Sequence, residues 1–305
     1  MISFIMESED NNPSSLVDLS SVSIVVPAFN EALGLPCLLD KLTQQLQGAE
    51  LIVVDDGSID DTAAVAGRYP EVRVIQHASN RGYGAALRTG MQAAQREYVV
   101  WADSDGQHRT EDILAVAQHL VEGQLDYCVG IRGADSHHEP NRKFGKWVLR
   151  NVVRLAVGRP VADFNSGLRG FRLAIIQKYL HILPKGFGAS TTTSLIMIER
   201  NYRVAEIPIV VQARVGKSSV RQLRDGIRTL NLILRIFLLF KPLHFFFGIG
   251  LPLVLIGFIY GLFEAFVEGL GFPTLAAVIV LSGTQTLFLG LVMDQISALR
   301  RESFE

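Results

Sequence analysis

The sequence predicts an α/β protein: a mostly parallel sheet between helices, followed by an amphipathic helix and two hydrophobic helices of bilayer length. Three observations carry this reading. Short β-branched runs alternate with segments of helical apolar spacing through roughly the first hundred residues, the pattern of βαβ units whose sheet is covered on both faces. The composition turns abruptly apolar at Leu243. Of the 305 residues, 49% are hydrophobic and only 19% charged, which is apolar for a purely soluble chain.

Residues 1–20 are acidic and rich in Ser and Asn towards their end, and are expected to form a flexible tail. Met1 to Met6 is too short and too uncharged for a signal peptide. Residues 21–218 carry the α/β domain. Ser23–Pro27 is a β-branched run closed by proline, and Leu33–Leu46 has helical spacing. Leu51–Val54 is a second strand, stopped by Asp55-Asp56-Gly57-Ser58, with a helix expected from about Ala63 to Tyr69. Val72–Ile75 is a third strand, and the turn at Asn80–Gly84 leads into a helix through Ala94. Tyr98–Trp101 is the fourth strand. Asp112–Val121 reads as an amphipathic helix and Leu125–Gly130 as a strand with Arg132 just past it. Asp163–Arg172 reads as a polar turn broken by glycine, and Ile207–Val211 as an edge strand, where Pro208 is tolerated.

The C-terminal part is of another kind. Residues 219–241 combine Arg221, Arg224, Arg228 and Arg235 with many Leu, Ile and Phe, as an interfacial amphipathic helix does. Residues 242–298 hold two uncharged cores, about 243–263 and 272–293, each long enough to span a bilayer. Basic residues flank their outer ends, while the link carries Glu264 and Glu268; the positive-inside rule then makes both ends cytoplasmic. Residues 299–305 are a short cytoplasmic tail.

The 29 Lys and Arg against 30 Asp and Glu give a net charge of -1, which excludes a general nucleic-acid binder. Cys37 and Cys128 have no metal-ligand spacing and read as buried small hydrophobes. His137 and His138 read as a solvated loop. There is no G-x-G-x-x-G after the first strand and no G-x-x-x-x-G-K-[ST], so dinucleotide and P-loop sites are not expected.

What remains is a set of polar loops at strand ends, the edge where open α/β sheets bind ligands. The sharpest is Asp103-Ser104-Asp105-Gly106-Gln107-His108 after the fourth strand. Two carboxylates flank a single residue, and Gln107 adds a neutral oxygen. Hard cations such as Mg²⁺ or Mn²⁺ take oxygen ligands of this kind and share them with substrate phosphates; the plain alternative is a polar turn. Asp55, Asp56 and Glu31 suit a base or ribose, and equally suit helix N-termini. Arg81, with Gly82 and Gly84, has the composition of a phosphate-approach loop. Arg214–Ser219, with Lys217, is a second basic loop suited to a phosphate.

Five blocks together resemble the family 2 glycosyltransferases of the GT-A fold, in the branch of the dolichol-phosphate mannose synthases and polyprenyl-phosphate glycosyltransferases. They are Val26–Glu31, Val54–Ser58, Asn80–Gly84, Asp103–His108 and Asn165–Phe171. The resemblance covers about residues 22 to 220, and the hairpin is similar to that of members with their own anchor. It implies that Pro27, Phe29, Glu31, Asp55 and Asp56 line the nucleobase and ribose pocket, with Arg81 and Gly82 also on the donor. It implies that Asp103, Asp105 and Gln107 hold Mg²⁺ or Mn²⁺ against the donor diphosphate. Arg132 and Arg142 would receive a lipid phosphate, with Lys146 beside them, and Arg214 and Lys217 would close over the donor. Asp163 and Arg169 complete the catalytic set, Asp163 either as a base or as a group that orients Arg169 or a neighbouring loop. Phe29 stands where a tyrosine is common, which removes any hydroxyl contact there, and Lys146 where related enzymes often carry a small polar residue.

The implied reaction is inverting transfer of a hexosyl group from a UDP- or GDP-sugar to a polyprenyl or dolichyl phosphate at the cytoplasmic membrane face. A phosphate monoester, with a second pKa of about 6, is largely dianionic at neutral pH and needs cations more than a base. Three alternatives stand beside it: a soluble sugar acceptor, a polysaccharide synthase (whose Q-x-x-R-W motif is missing), and a non-catalytic, membrane-anchored nucleotide-sugar binder. The expected partners are the donor, the lipid acceptor and the bilayer; a homo-oligomer is compatible with the sequence.

Overall fold

A computed structural model describes residues 18–133, 166–186, 188–200, 202–211, 238, 241–267, 269 and 271–302. The chain divides into two compact units, Met1–Arg142 with Val161–Val220, and Lys143–Pro160 with Arg221–Glu305.

In the first unit, β1 (Val22–Ala28), β2 (Glu50–Asp55), β3 (Val72–Gln76) and β4 (Tyr98–Trp101) form at the β-branched runs. They alternate with α1 (Leu35–Gln45), α2 (Thr62–Ala66), α3 (Tyr83–Ala93) and α4 (Thr110–Glu122). Every residue of β1 and β4 is buried or nearly so, as parallel strands sandwiched between helices must be. β5 (Tyr127–Arg132), β6 (Arg169–Arg172), α5 (Leu173–Tyr179), α6 (Gly188–Glu199) and β7 (Val204–Ile209) complete this unit. The sheet runs β3-β2-β1-β4-β6-β5-β7. β6 runs antiparallel to both its neighbours, β4 and β5, while the other pairings are parallel.

β6 corrects the sequence reading, which took residues 163–172 as a turn. Only its start is one. Arg169 to Arg172 is a strand inserted between β4 and β5, with Phe171 between Trp101 (ring centroids 4.9 Å apart) and Tyr127 (5.0 Å). A four-residue run with two arginines and a glycine carries no alternation to betray it. Gly170 is required because α4 packs there: a Cβ would overlap Leu120 Cδ1 and press on Val100 and Val116 at 3.1 Å. β5 starts two residues later than expected, because Asp126 is engaged with the Arg203 backbone at the strand's entrance. β7 is the edge strand, so Pro208 is tolerated as expected. Cys128 is buried in β5, but Cys37 is exposed on α1, against the expectation for it.

Pro27 illustrates how position tolerates a residue inside a sheet. In β1 the Val25 carbonyl accepts from Ala102 N on the β4 side, and the Ala28 carbonyl accepts from Asp56 N on the β2 side. By this alternation Pro27 faces the β4 side, where pairing with β4 has already ended at Val25–Trp101. Its missing N–H is not needed there.

In the second unit, α7 (Pro242–Val267) and α8 (Thr274–Glu302) form an antiparallel hairpin. Both are long and apolar enough to cross a membrane, with mean hydropathies of 2.2 and 2.0. Their contact is lined by small residues. A Cβ at either Gly250 or Gly283 would come 2.8 Å from the other's carbonyl oxygen. Close backbone approach of this kind is what drives association where there is no water to expel. The amphipathic helix expected at 219–241 lies outside the described residues apart from Leu238 and Lys241.

Candidate active site

Because β1, β2, β3, β4 and β5 all point the same way, their carboxyl ends bring the polar loops to one edge of the sheet. β1 lies between β2 and β4, so successive connections leave it in opposite directions, and a crevice opens there. A cavity of about 740 Å³ sits at this edge, lined by Phe29 after β1, Gly57 to Ile59 after β2, and Gln76 to Asn80 at the end of β3. That is the size of a small-molecule site. Phe29 is 44% exposed, a flat apolar face offered to the cleft.

The loops framing the cleft are tied together. Asn30, at φ 56°, takes the left-handed conformation that Asn tolerates, and its N–H donates to Ser58 Oγ at 2.9 Å. Its own Oδ1 accepts from Ile59 N at 3.0 Å. Glu31 N donates to Thr62 Oγ1 at 2.9 Å, and Ala32 N to Asp60 at 3.2 Å. Gly57, at φ 71°, passes so close to Ser79 and Asn80 that no Cβ fits.

The two carboxylates after β2 behave differently. Asp55 is wholly buried; its Oδ1 accepts from the Ser58 amide and hydroxyl, while Oδ2 is buried with no partner. Asp56 faces inward. It accepts from Arg81 N at 3.0 Å, from Gly82 N at 2.7 Å, and lies 2.6 Å from His77 Nδ1. His77 Nε2 in turn meets Thr89 Oγ1 at 2.9 Å. Asp56 therefore holds the loop that starts α3, and the Gly82 amide is used internally. The glycines here have a packing reason: a Cβ on Gly84 would overlap the Pro184 carbonyl, and one on Gly82 would sit 2.5 Å from the Lys185 carbonyl. The Cβ sides of both glycines thus face the backbone of residues 184–186. Arg81 itself is exposed.

Asp103 stands two residues beyond β4, its side chain 27% exposed. Tyr83, the first residue of α3, donates its hydroxyl to Asp103 Oδ1 at 2.7 Å. Burial, reinforced by the Asp103 charge and hydrogen bond, pushes the Tyr83 phenol well above its ordinary range, so it remains a donor. Asp103 Oδ2 lies 3.6 Å from His108 Nε2, beyond hydrogen-bond length. Gly167 backs the same oxygen so tightly that a Cβ would overlap it. Gly106, at φ 71° and in open space, turns the chain, and Gln107 N donates to Asp105 Oδ1 at 3.1 Å. Glu31 reaches this turn too: a Cβ on Gly34 would lie 3.4 Å from Glu31 Oε2 and 3.8 Å from the Ser104 carbonyl.

Among the described residues no three His, Cys, Asp or Glu side chains converge on one point. The donor set of Asp103, Asp105 and Gln107 nevertheless fits a hard divalent cation. It is all oxygen, it is partly exposed, and among the described residues Asp103 Oδ2 has no hydrogen-bond donor, His108 Nε2 lying 3.6 Å away. Such ions complete their shell with water and substrate phosphate.

Arg132 ends β5 at the same edge. Arg169 does not face solvent at all. Fully buried, it donates through Nε to the Ser166 carbonyl at 2.7 Å and through Nη1 to Tyr127 Oη at 2.8 Å and the Ser190 carbonyl at 2.6 Å. It ties β6 to β5 and α6. Asp163, Arg142, Lys146, Arg214 and Lys217, like His137 and His138, lie outside the described residues. Reading the sequence did not single out Tyr83 or Gly167 as supports of Asp103. Each sits in a recognised block, but their convergence depends on β6 entering the sheet at this edge.

Residues 23–180 match the Glycosyl transferase family 2 domain, and residues 241–299 match the GtrB C-terminal hairpin. An uncharacterized protein of Methanocaldococcus jannaschii is 29% identical over 209 residues, 66% of this chain and 85% of its own. An undecaprenyl-phosphate 4-deoxy-4-formamido-L-arabinose transferase of Yersinia pestis (strain Pestoides F) is 28% identical over 298 residues, 91% of this chain and 88% of its own. Glucosyl-3-phosphoglycerate synthase from Mycobacterium tuberculosis, solved with Mn²⁺, uridine diphosphate and phosphoglyceric acid, matches at TM-score 0.59 and 20% identity. That match covers 71% of this chain and 78% of the synthase, and it speaks to the fold.

The sheet, the cleft at its switch point and these matches define a glycosyltransferase of the GT-A fold with a C-terminal hairpin of two long apolar helices. The chain belongs to glycosyl transferase family 2.

Proposed function

We propose that this enzyme transfers a hexosyl group, with inversion, from a UDP- or GDP-sugar to a polyprenyl phosphate at the cytoplasmic face of a membrane. The observation that carries the reading is the state of Asp103: held by Tyr83 on one oxygen, without a hydrogen-bond donor among the described residues on the other, and at the same sheet edge as the 740 Å³ cleft. The relatives named for undecaprenyl-phosphate transfer and the shared hairpin support a lipid acceptor.

Asp103, Asp105 and Gln107 are the residues that would hold Mg²⁺ or Mn²⁺. Such an ion, when bound, acts as a Lewis acid towards the leaving diphosphate. Phe29 and the 57–59 and 76–80 segments receive the nucleoside. Glu31, Pro27 and Asp55 shape the floor and rim of that pocket, and Asp56 orders it through the 81–82 amides. The acceptor oxygen is already anionic, so the chain supplies cations rather than a base: Arg132, Arg142, Lys146, Arg214 and Lys217 are assigned to the two phosphate groups. Burial of Arg169 supports a positioning role for it, with Asp163 as its partner. The arginines outside the hairpin's ends support a cytoplasmic catalytic unit.

Purified full-length protein in lipid nanodiscs, given a panel of nucleotide sugars, polyprenyl phosphate and Mg²⁺ or Mn²⁺, should yield a glycosylated lipid detectable by mass spectrometry. Chelation should abolish the product and either ion restore it. Asp105→Ala should lower turnover more than about 100-fold, beyond the 10–100-fold typical of groups behind the ligands. Full transfer by that variant would favour a non-catalytic nucleotide-sugar binder. Product confined to the aqueous phase would favour a soluble acceptor; phosphoglyceric acid, bound in the solved synthase, is a compound of that soluble kind.

A further inference from the structure

Asp55 ends β2 with one carboxylate oxygen to spare. Oδ1 accepts twice from Ser58, from its amide at 3.1 Å and from its hydroxyl, which fills the lone pairs that an oxygen has. Oδ2 is buried and has no partner among the described residues. A buried polar atom left in this state is costly, and in a native fold it calls for a reason.

The surroundings of Asp55 supply one. In the sheet it pairs with Ala28 of β1 and with Gln76 of β3. Phe29, which follows Ala28, lines the 740 Å³ cavity, as do Gln76, Ser58 and His77, whose N–H donates to the Asp55 carbonyl at 2.9 Å. Lining residues thus lie on both flanking strands and in Asp55's own loop, and the spare oxygen belongs to the floor beneath them. Gln76 and Asn80 add exposed carboxamides to the cavity wall, groups that both donate and accept.

Bases differ in what they offer along the edge that proteins read on unpaired nucleotides. Uracil presents a single N–H between two carbonyls. Guanine presents two adjacent donors, N1–H and the N2 amino group, which a carboxylate answers with both of its oxygens. Adenine and cytosine each place a ring-nitrogen acceptor there instead.

We propose, resting on the reading of this cleft as a nucleotide-sugar site, that the donor is a uridine diphosphate sugar whose uracil N3–H bonds to Asp55 Oδ2. Carboxamides of the kind Gln76 and Asn80 carry suit the two carbonyls beside N3, and Phe29 offers the ring a flat apolar face. Guanine would leave one of its two donors unanswered or displace Ser58 from Oδ1, and either outcome forfeits a hydrogen bond to a buried group. Reaching Oδ2 takes a side-chain adjustment of the sort common on binding.

The test is calorimetric titration of the full-length protein in lipid nanodiscs with UDP, GDP, CDP and N3-methyl-UDP, each with Mg²⁺. UDP should bind at least about tenfold more tightly than GDP, the scale of one hydrogen bond lost at a buried group. N3-methyl-UDP, which has no N3–H, should lose at least as much, and this comparison needs no altered protein. In Asp55→Asn the Ser58 donors still claim an oxygen, so the NH₂ takes the Oδ2 place and faces N3. UDP should then weaken while CDP, whose N3 accepts, gains; the UDP-to-CDP affinity ratio should move about tenfold or more towards CDP. A merely structural role for Asp55 would weaken both alike. GDP binding as well as UDP, undiminished binding of N3-methyl-UDP, or parallel losses of UDP and CDP in folded Asp55→Asn would each overturn the uracil assignment and leave glycosyl transfer standing. Binding of none of the four nucleotides would overturn the nucleotide-sugar site as well.

Discussion

Tyr83 and Gly167 grip the Asp103 carboxylate from two sides, one by a hydrogen bond and one by leaving no room to turn. Tyr83→Phe removes the bond and leaves the ring. It should raise the Mg²⁺ or Mn²⁺ concentration needed for half-maximal transfer about 10–100-fold, the usual cost of losing a group that orients a ligand. The phenol's pKa is raised in the folded protein, so its contribution is fully present below the ordinary tyrosine value near 10 and is lost only as pH rises through the higher folded value. Wild type and Tyr83→Phe should therefore share any alkaline loss of activity below pH 10. Gly167→Ala is a sharper probe. The added methyl overlaps Asp103 Oδ2 and lies 3.0 Å from His108 Nε2, so the carboxylate must move. Transfer should fall at least as far as in Tyr83→Phe while the far-ultraviolet circular dichroism is unchanged; unaltered activity would show that Asp103 need not stay where it is held. The carboxylates were legible as residue types, but nothing one-dimensional says that Asp56 turns inward to His77 and the 81–82 amides while Asp103 remains partly open.

At the scale of elements, the segment after α5 decides where α3 begins. Gly84 N donates to the Lys185 carbonyl at 2.8 Å, and the three atoms nearest a Cβ on Gly84 are all backbone of residues 184–186. Backbone yields less readily than a side-chain tip, so Gly84→Ala should destabilise the catalytic unit by about 1–3 kcal/mol, the range for overpacking. A shift in denaturation midpoint checks it. Because α3 carries Tyr83 at its first turn, the same variant should also weaken metal dependence. β1 to β4 could be read from their β-branched runs, since buried parallel strands need such residues throughout. β6 could not. Its pairing with β4 and β5 selects Arg169-Gly170-Phe171-Arg172 through fit against α4 and the neighbouring aromatic rings, and such fit leaves no periodic trace.

For the whole molecule, the contrast is between a catalytic unit with a closed apolar core and a hairpin whose large apolar side chains face outward. Leu255, Ile259, Phe263, Leu281 and Phe288 are each about half exposed or more, which water does not tolerate in such number. The full chain should therefore remain with the membrane through an alkaline carbonate wash, and a chain ending before Pro242 should be released to a much greater extent. Equal retention of both would assign the attachment to the catalytic unit instead. Composition made the hairpin legible, because hydrocarbon length and lack of charge are one-dimensional properties.

Taken alone, the order of residues determined the βαβ alternation, the carboxylate pair after the fourth strand, the family resemblance and the two apolar spans. Each depends on neighbours in the chain: local periodicity, a motif of fixed spacing, or a run of one composition. Only the tertiary structure decided that β6 enters antiparallel, that Gly82 and Gly84 accommodate residues 184–186, that Arg169 is interior, and that Tyr83 and Gly167 meet at Asp103. These contacts join residues about 20 to 100 positions apart, and the free energy that selects them is that of close packing and of satisfying buried polar groups, neither of which exists until the sheet has assembled.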